Sequence, residues 1–189
     1  MKKDRFVAFF DAIMAIIMTI AVLQFAIPEG AKWSDLTDLG YQILVYALSF
    51  FLLGLMWINI HSLWDRAEYI SHAVIGINIV MLFFSSMIPF LVIYIGRYFQ
   101  ETVPQLLYGI DMLCITLCNR LSLEFLKREN PQLIENIKLL RRTASIDLTI
   151  KLIGIIVGIV LFPPAIMLSV FISLIILTVN YFLLKKKKS

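Results

Sequence analysis

The first apolar stretch, RFVAFFDAIMAIIMTIAVLQFAI from Arg5 to Ile27, constrains the chain more than any other segment. It is long enough to cross a bilayer as a helix. Yet it opens on an arginine and carries an aspartate, Asp11, about a turn and a half further in. A plain anchor needs neither residue. At ~100° per residue, Ile16, Ile20 and Leu23 fall within a ~60° arc, and Phe9, Ile13 and Ile27 extend the same broad stripe. Asp11 points to the far side of the helix. The stripe therefore faces lipid, a neighbouring helix or a pore.

Further apolar runs follow. With 60% hydrophobic residues in 189 and a mean hydropathy of +0.88, the chain is far more apolar than a soluble domain. We read it as an all-α, multi-pass membrane protein forming one domain over residues 1–189, with helices at 5–27, 36–63, 67–98, 103–126, 144–162 and 165–184. Pro28, Glu29 and Gly30 end helix one, and Pro163 and Pro164 separate helices five and six. The charged stretch KRENPQLIENIKLLRR, Lys127 to Arg142, reads as a connector on the inner face. The basic residues orient these spans. Lys2, Lys3, Arg5, Arg66, Lys127, Arg128, Lys138, Arg141, Arg142 and Lys185 to Lys188 collect on one side, whereas Lys32 and Arg97 stand on the other. That asymmetry predicts both termini inside. The basic N-terminus superficially resembles a signal peptide, but its apolar run is too long, Asp11 interrupts it, and no A-x-A site follows.

Charged and strongly polar groups at membrane depth are costly, so each is a candidate for function. Asp11, Asn78, Asp111, Glu124 and Asp147 qualify, with Trp57, Asn59 and His61 near the inner end of helix two. Asp147 precedes Lys151 by four residues, which predicts a local ion pair, and Glu124 falls near Lys127 and Arg128. At ~1.5 Å per residue, Asp11 and Trp57 both lie ~9 Å from the inner surface, while Asn78 and Thr19 come out near mid-membrane. A hydrogen-bonded layer joining helices one to three is then geometrically allowed. Asp111 stays open between a structural role, such as a contact with Tyr108, and a cation or proton site. Cys114 and Cys118, four residues apart on one helix, give neither a disulfide framework nor a metal site. Gly154 and Gly158 form a small-xxx-small pair, expected to permit close helix packing. There is no Gly-rich phosphate loop, no CxxC pair and no HExxH, so nothing points to an enzyme. The carbonyl-filter sequence TVGYG is also missing.

Arg5, Phe9 and Asp11 in R-F-V-A-F-F-D-A resemble the R-x-x-x-F-S-D-G signature that opens helix one in the transmembrane protein 175 family, potassium-permeable channels of lysosomes and many bacteria. The following AIIMTIAVLQF is similar to that family's AIAITLLVLEI run. Trp57 to His61 resembles its W-x-x-H-H segment, and Asn78 with Pro89 and Phe90 stands in its N…PF spacing. Phe10 replaces the signature serine, Ala12 its glycine and Ile60 the first histidine. The resemblance covers helices one to three. It implies a homotetramer of six-helix subunits in the cell membrane, with the four first helices lining a central pore. It also implies a constriction of apolar side chains at Ile16, Ile20 and Leu23, flanked by Thr19. Arg5, Phe9, Asp11, Trp57, His61 and Asn78 are expected to support the pore helix.

The expected function is a potassium-permeable cation channel that uses no catalytic residue, no metal and no cofactor beyond the permeant K⁺. Its expected partners are further copies of itself, membrane lipid and monovalent cations, not nucleic acid. The alternative is a proton- or cation-coupled secondary transporter using Asp11, Asp111 and His61, although inverted repeats and broken mid-membrane helices are not evident.

Overall fold

The structure is a computed structural model that describes residues 3–25, 27, 28, 30 and 32–186, without the side chains of residues 34, 35, 37, 38 and 180–186. Lys2, Glu29 and the lysines at 187 and 188 lie outside the described residues, as do the side chains of Lys185 and Lys186. Helices dominate what is described: α1 (Lys3–Ile20), α2 (Thr37–Trp64), α3 (His72–Ser85), α4 (Ile88–Arg97), α5 (Thr102–Glu129), α6 (Ile134–Val160) and α7 (Ala165–Lys186). Five helical segments are long and apolar enough to cross a membrane, Lys3–Gln24, Leu39–Trp64, His72–Arg97, Thr102–Glu129 and Pro131–Val160, and α7 adds a shorter apolar stretch, Ala165–Val179. The α3 and α4 segments together make one span. Five candidate spans and one shorter apolar helix are thus present among the described residues.

Prolines explain where the helices stop short of the expected bounds. Pro28 would press its ring on the carbonyl four residues back, that of Gln24. Accordingly α1 tightens into a 3₁₀ turn over Ala21–Gln24, and Phe25 is extended with ψ 127°. Helix one thus ends before Ile27. Pro89 meets the Ser85 carbonyl in the same way, and the single helix expected over 67–98 breaks there into α3 and α4. It also begins late, at His72, with Ser71 as its N-cap, because the loop before it finds other partners. Asn130, fully buried, accepts from the Glu68 and Tyr69 amides at 2.9 and 3.2 Å and donates to the Tyr69 carbonyl at 2.9 Å. The Glu129 carboxylate accepts from the Ser71 amide at 3.2 Å. With its backbone satisfied from α5, the loop gains nothing by coiling.

The charged stretch 127–142 is not a separate connector. Its first residues finish α5, Pro131–Leu133 form one 3₁₀ turn, and the rest are the opening turns of α6, which starts ten residues earlier than expected. Glu124 gathers its charge: the Arg141 guanidinium donates to it directly, and Lys127 and Arg128 stand 4.0 and 3.9 Å away.

The main body packs α5 between α3 and α6, α6 against α7, and α7 back onto α2, while α1 lies along α2, α3 and α4. Gly154 and Gly158 sit where α6 meets α7. A Cβ on Gly154 would come 2.3 Å from Ser169 Cβ, and one on Gly158 would come 2.5 Å from Ile166 Cγ1. Close packing of this kind is how helices associate in lipid, where burying apolar surface gives no drive. Gly154→Ala should therefore cost about 1–3 kcal/mol through overpacking, read as a lower Tm of the detergent-solubilised protein. Gly76→Ala, with nothing within 4 Å of its added Cβ, should leave Tm unchanged or raise it.

Candidate pore face and its support

Helix α1 has one buried stripe. Phe6, Phe10, Met14, Ile17 and Ala21, spaced by threes and fours, are 0–5% exposed. One residue back from Ile17 and Ala21 the picture reverses, with Ile16 60% and Ile20 38% exposed, and Leu23 in the following 3₁₀ turn is 81% exposed. These three side chains lie outside the subunit's core, on the same side as Phe9. In a 3₁₀ turn residues three apart eclipse, so Leu23 stands above Ile20. The Thr19 hydroxyl flanks them. It donates to the Ala15 carbonyl at 2.8 Å, with the Ile16 carbonyl at 3.2 Å, a back-bond that loosens the helix just before the 3₁₀ turn.

Asp11 stands on the other flank of the buried stripe. Its Oδ1 accepts from Trp57 Nε1 of α2 at 2.7 Å, and its Oδ2 lies 3.6 Å from His61 Nδ1. The Trp57 and His61 rings pack 5.1 Å apart, and His61 Nε2 lies 3.7 Å from Asp65. A carboxylate at this depth needs a donor, and the indole supplies one while its ring stays in apolar surroundings.

The other expected support residues stand elsewhere. Arg5 is exposed and shares the outward side of α1, without a partner among the described residues, and Phe9 is 49% exposed on that same side. Asn78 is buried, but it reaches α5 instead of α1 or α2: its Nδ2 donates to Ser122 Oγ and to the Val74 carbonyl, each at 2.8 Å. Depth along the helix axis carries no information on direction, and Asn78 points to the α5 side of α3. Asp111 does not meet Tyr108, which pairs with Ser49 at 2.9 Å. The Asp111 carboxylate is 6% exposed, and its Oδ2 is without a partner among the described residues.

Three aromatic residues beyond those expected hold α1. Trp64 is 1% exposed and packs against Phe6 at 5.1 Å and, edge-on, against Phe10 at 4.9 Å. Phe10 stands where the resembling signature has serine, and Trp64 sits at the end of α2, where a polar turn is expected. Lys3 adds a bond from its ammonium to the Ala67 carbonyl at 2.8 Å. The signal for the aromatic contact was the four-residue spacing of Phe6 and Phe10.

An all-helical multi-pass membrane protein with one apolar stripe of its first helix turned out of the core is the class that these features define. Over residues 5–89 the chain matches the family model described as the endosomal/lysosomal potassium channel TMEM175. A potassium channel of Chryseobacterium sp. is 34% identical over 113 residues, 60% of this chain and 59% of that protein. One of Streptomyces collinus is 25% identical over 124 residues, 61% of this chain and 60% of that protein. The chain thus aligns with about three-fifths of each relative's length. The fold likeness runs further. A crystal structure of a lysosomal potassium-selective channel TMEM175 homolog from Chamaesiphon minutus superposes with a TM-score of 0.79 over 95% of this chain and 96% of that one, at 19% identity. A variant of the potassium channel MtTMEM175, crystallised with a nanobody–MBP fusion protein, gives 0.55 over 96% and 93%, at 18% identity.

The tie between Trp57 and Asp11 is testable. Trp57→Phe leaves the carboxylate without its donor and should lower stability by about 1–2 kcal/mol. Asp11→Asn, which keeps an acceptor oxygen for the indole, should lose less. Thermal unfolding of the two variants in detergent gives the order.

Proposed function

We propose that this protein is a potassium-permeable cation channel of the cell membrane, assembled as a homotetramer with both termini inside and one α1 from each subunit around a central pore. The observation that carries the reading is the outward stripe: Ile16, Ile20 and Leu23 lie on the one side of α1 that the subunit leaves uncovered. Four copies of that side around an axis make stacked rings of branched aliphatic side chains over ~10 Å. Apolar rings at a constriction exclude water when narrow and pass ions when widened, a gate that needs no carbonyl filter. Thr19 flanks the rings and offers hydroxyl lone pairs to a partly dehydrated cation.

Asp11, Trp57 and His61 then act behind the gate. They fix the rotation of α1 about its axis and do not touch the permeating ion. Arg5 and Phe9, on the outward side nearer the helix start, support α1 from the neighbouring subunit's side. Asn78 acts at one remove by tying α3 to α5. Membrane lipid covers the remaining exposed apolar faces. The names of the relatives, each called a potassium channel, support the choice of ion.

The test is flux from the purified full chain in liposomes. Wild type should pass K⁺ faster than Na⁺. Ile16→Ala and Leu23→Ala, each opening the rings, should raise cation flux severalfold and bring the K⁺ and Na⁺ rates together. Flux and selectivity unchanged in both variants would remove the stripe from the conduction path.

A further inference from the structure

A second polar centre lies away from α1. On α6, Asp147 and Lys151 are one turn apart and 4% and 2% exposed. On α5, Thr116 and Asn119 face them. The Thr116 hydroxyl donates to Asp147 Oδ2 at 2.8 Å, and the Lys151 ammonium donates to the same Oδ2 at 2.9 Å and to Thr116 Oγ1 at 2.7 Å. Thr116 is thereby used as both donor and acceptor. The ammonium has three N–H donors, and two are spent. Asp147 Oδ1 and Asn119 Oδ1 are both buried and without a partner among the described residues. These groups line a cavity of about 40 Å³ between α2, α5, α6 and α7, which Asn59 of α2 also borders. Among the described residues, none lining it comes from α1.

We propose that this cavity is a water-binding site in which the Lys151 ammonium stands where a free cation would otherwise sit. The unused inventory is two acceptor oxygens and one N–H, and water is the small molecule that donates twice and accepts from an ammonium at once. The volume admits about three or four waters at ~10–15 Å³ each. Asp147, Thr116 and Asn119 present the carboxylate, hydroxyl and amide oxygens that bind a small hard cation. The ammonium already holds that charge at 2.9 Å, and a second positive charge within a few ångströms in so little solvent is repelled. The tethered cation thus closes the site to permeant ions and leaves it neutral, which a membrane-embedded cluster requires. The two buried, unpartnered acceptors and the cavity set this cluster apart from a simple ion pair, which would leave no oxygen asking for a donor.

Thermal unfolding of the full chain in detergent, in NaCl against choline chloride, tests the assignment. Lys151→Met removes the ammonium and leaves the oxygens, so Na⁺ should enter and raise Tm by several degrees more than it does in wild type. In the double variant Asp147→Asn with Lys151→Met, the carboxylate is gone and the excess Na⁺ response should vanish. A single variant that responds to Na⁺ no more than wild type, or a double variant that keeps the excess, overturns the cation-site geometry. If the single variant does not fold, the wild-type protein decides the matter. Solvent density within hydrogen-bonding distance of both Asp147 Oδ1 and Asn119 Oδ1 in an experimental map of water-resolving quality is the expected result. A map of that quality with no solvent peak there overturns the proposal.

Discussion

The hydrogen bond from Trp57 to Asp11 sets the rotation of α1, and the rest of the arrangement depends on that rotation. An ionised carboxylate inside an apolar layer is stable only where a donor meets it, and α2 presents that donor at one angular position. With Asp11 fixed, the period of the helix fixes everything else. Phe6 and Phe10 fall on Trp64, Met14 and Ile17 fall into the core, and Ile16 and Ile20 fall outside it. The acid and the aromatic pair specify the same phase from two sides of the buried stripe. Agreement between independent local preferences of this sort is what makes one packing the favoured one.

The two halves of the subunit are held by different means. From α5 onward, helices meet closely through glycines at the α6–α7 contact and through buried polar groups shared between α5 and α6. By contrast, α1 is held by one stripe, one indole bond and a lysine at its start. An element attached along a single face moves at lower cost than one packed all round. A first helix that can shift against a firm body is what the gate proposed above requires.

Much of this was legible in the sequence, for stated reasons. The two sides of α1 followed from its 3.6-residue period because Asp11 marks one side and the isoleucines the other. The Asp147–Lys151 pair followed from four-residue spacing. The breaks at Gln24 and Ser85 were latent in Pro28 and Pro89, four residues on in each case, and reading the ring clash would have placed them. The partner of Asn78 was not legible, nor was the exposed position of Arg5. Axial rise gives the level of a side chain, whereas its partner depends on which neighbouring helix lies in its direction, a property of the packed bundle. Likewise the early start of α6 was masked by its charge, since Lys138, Arg141 and Arg142 read as a solvent connector, whereas Glu124 of α5 supplies the counter-charge of Arg141 and Glu135 that of Lys138.

The clasp formed by Asn130 has a consequence for synthesis. The chain is made from its N-terminus, so the turn between α2 and α3 leaves the ribosome about sixty residues before the side chain that satisfies its amides. Through that interval the amides of Glu68 and Tyr69 depend on water. The hairpin of α2 and α3 must therefore enter the bilayer with its turn still hydrated, and only the arrival of α5 can dry and lock it. A ribosome paused before Asn130 would hold an inserted hairpin whose turn had not yet set.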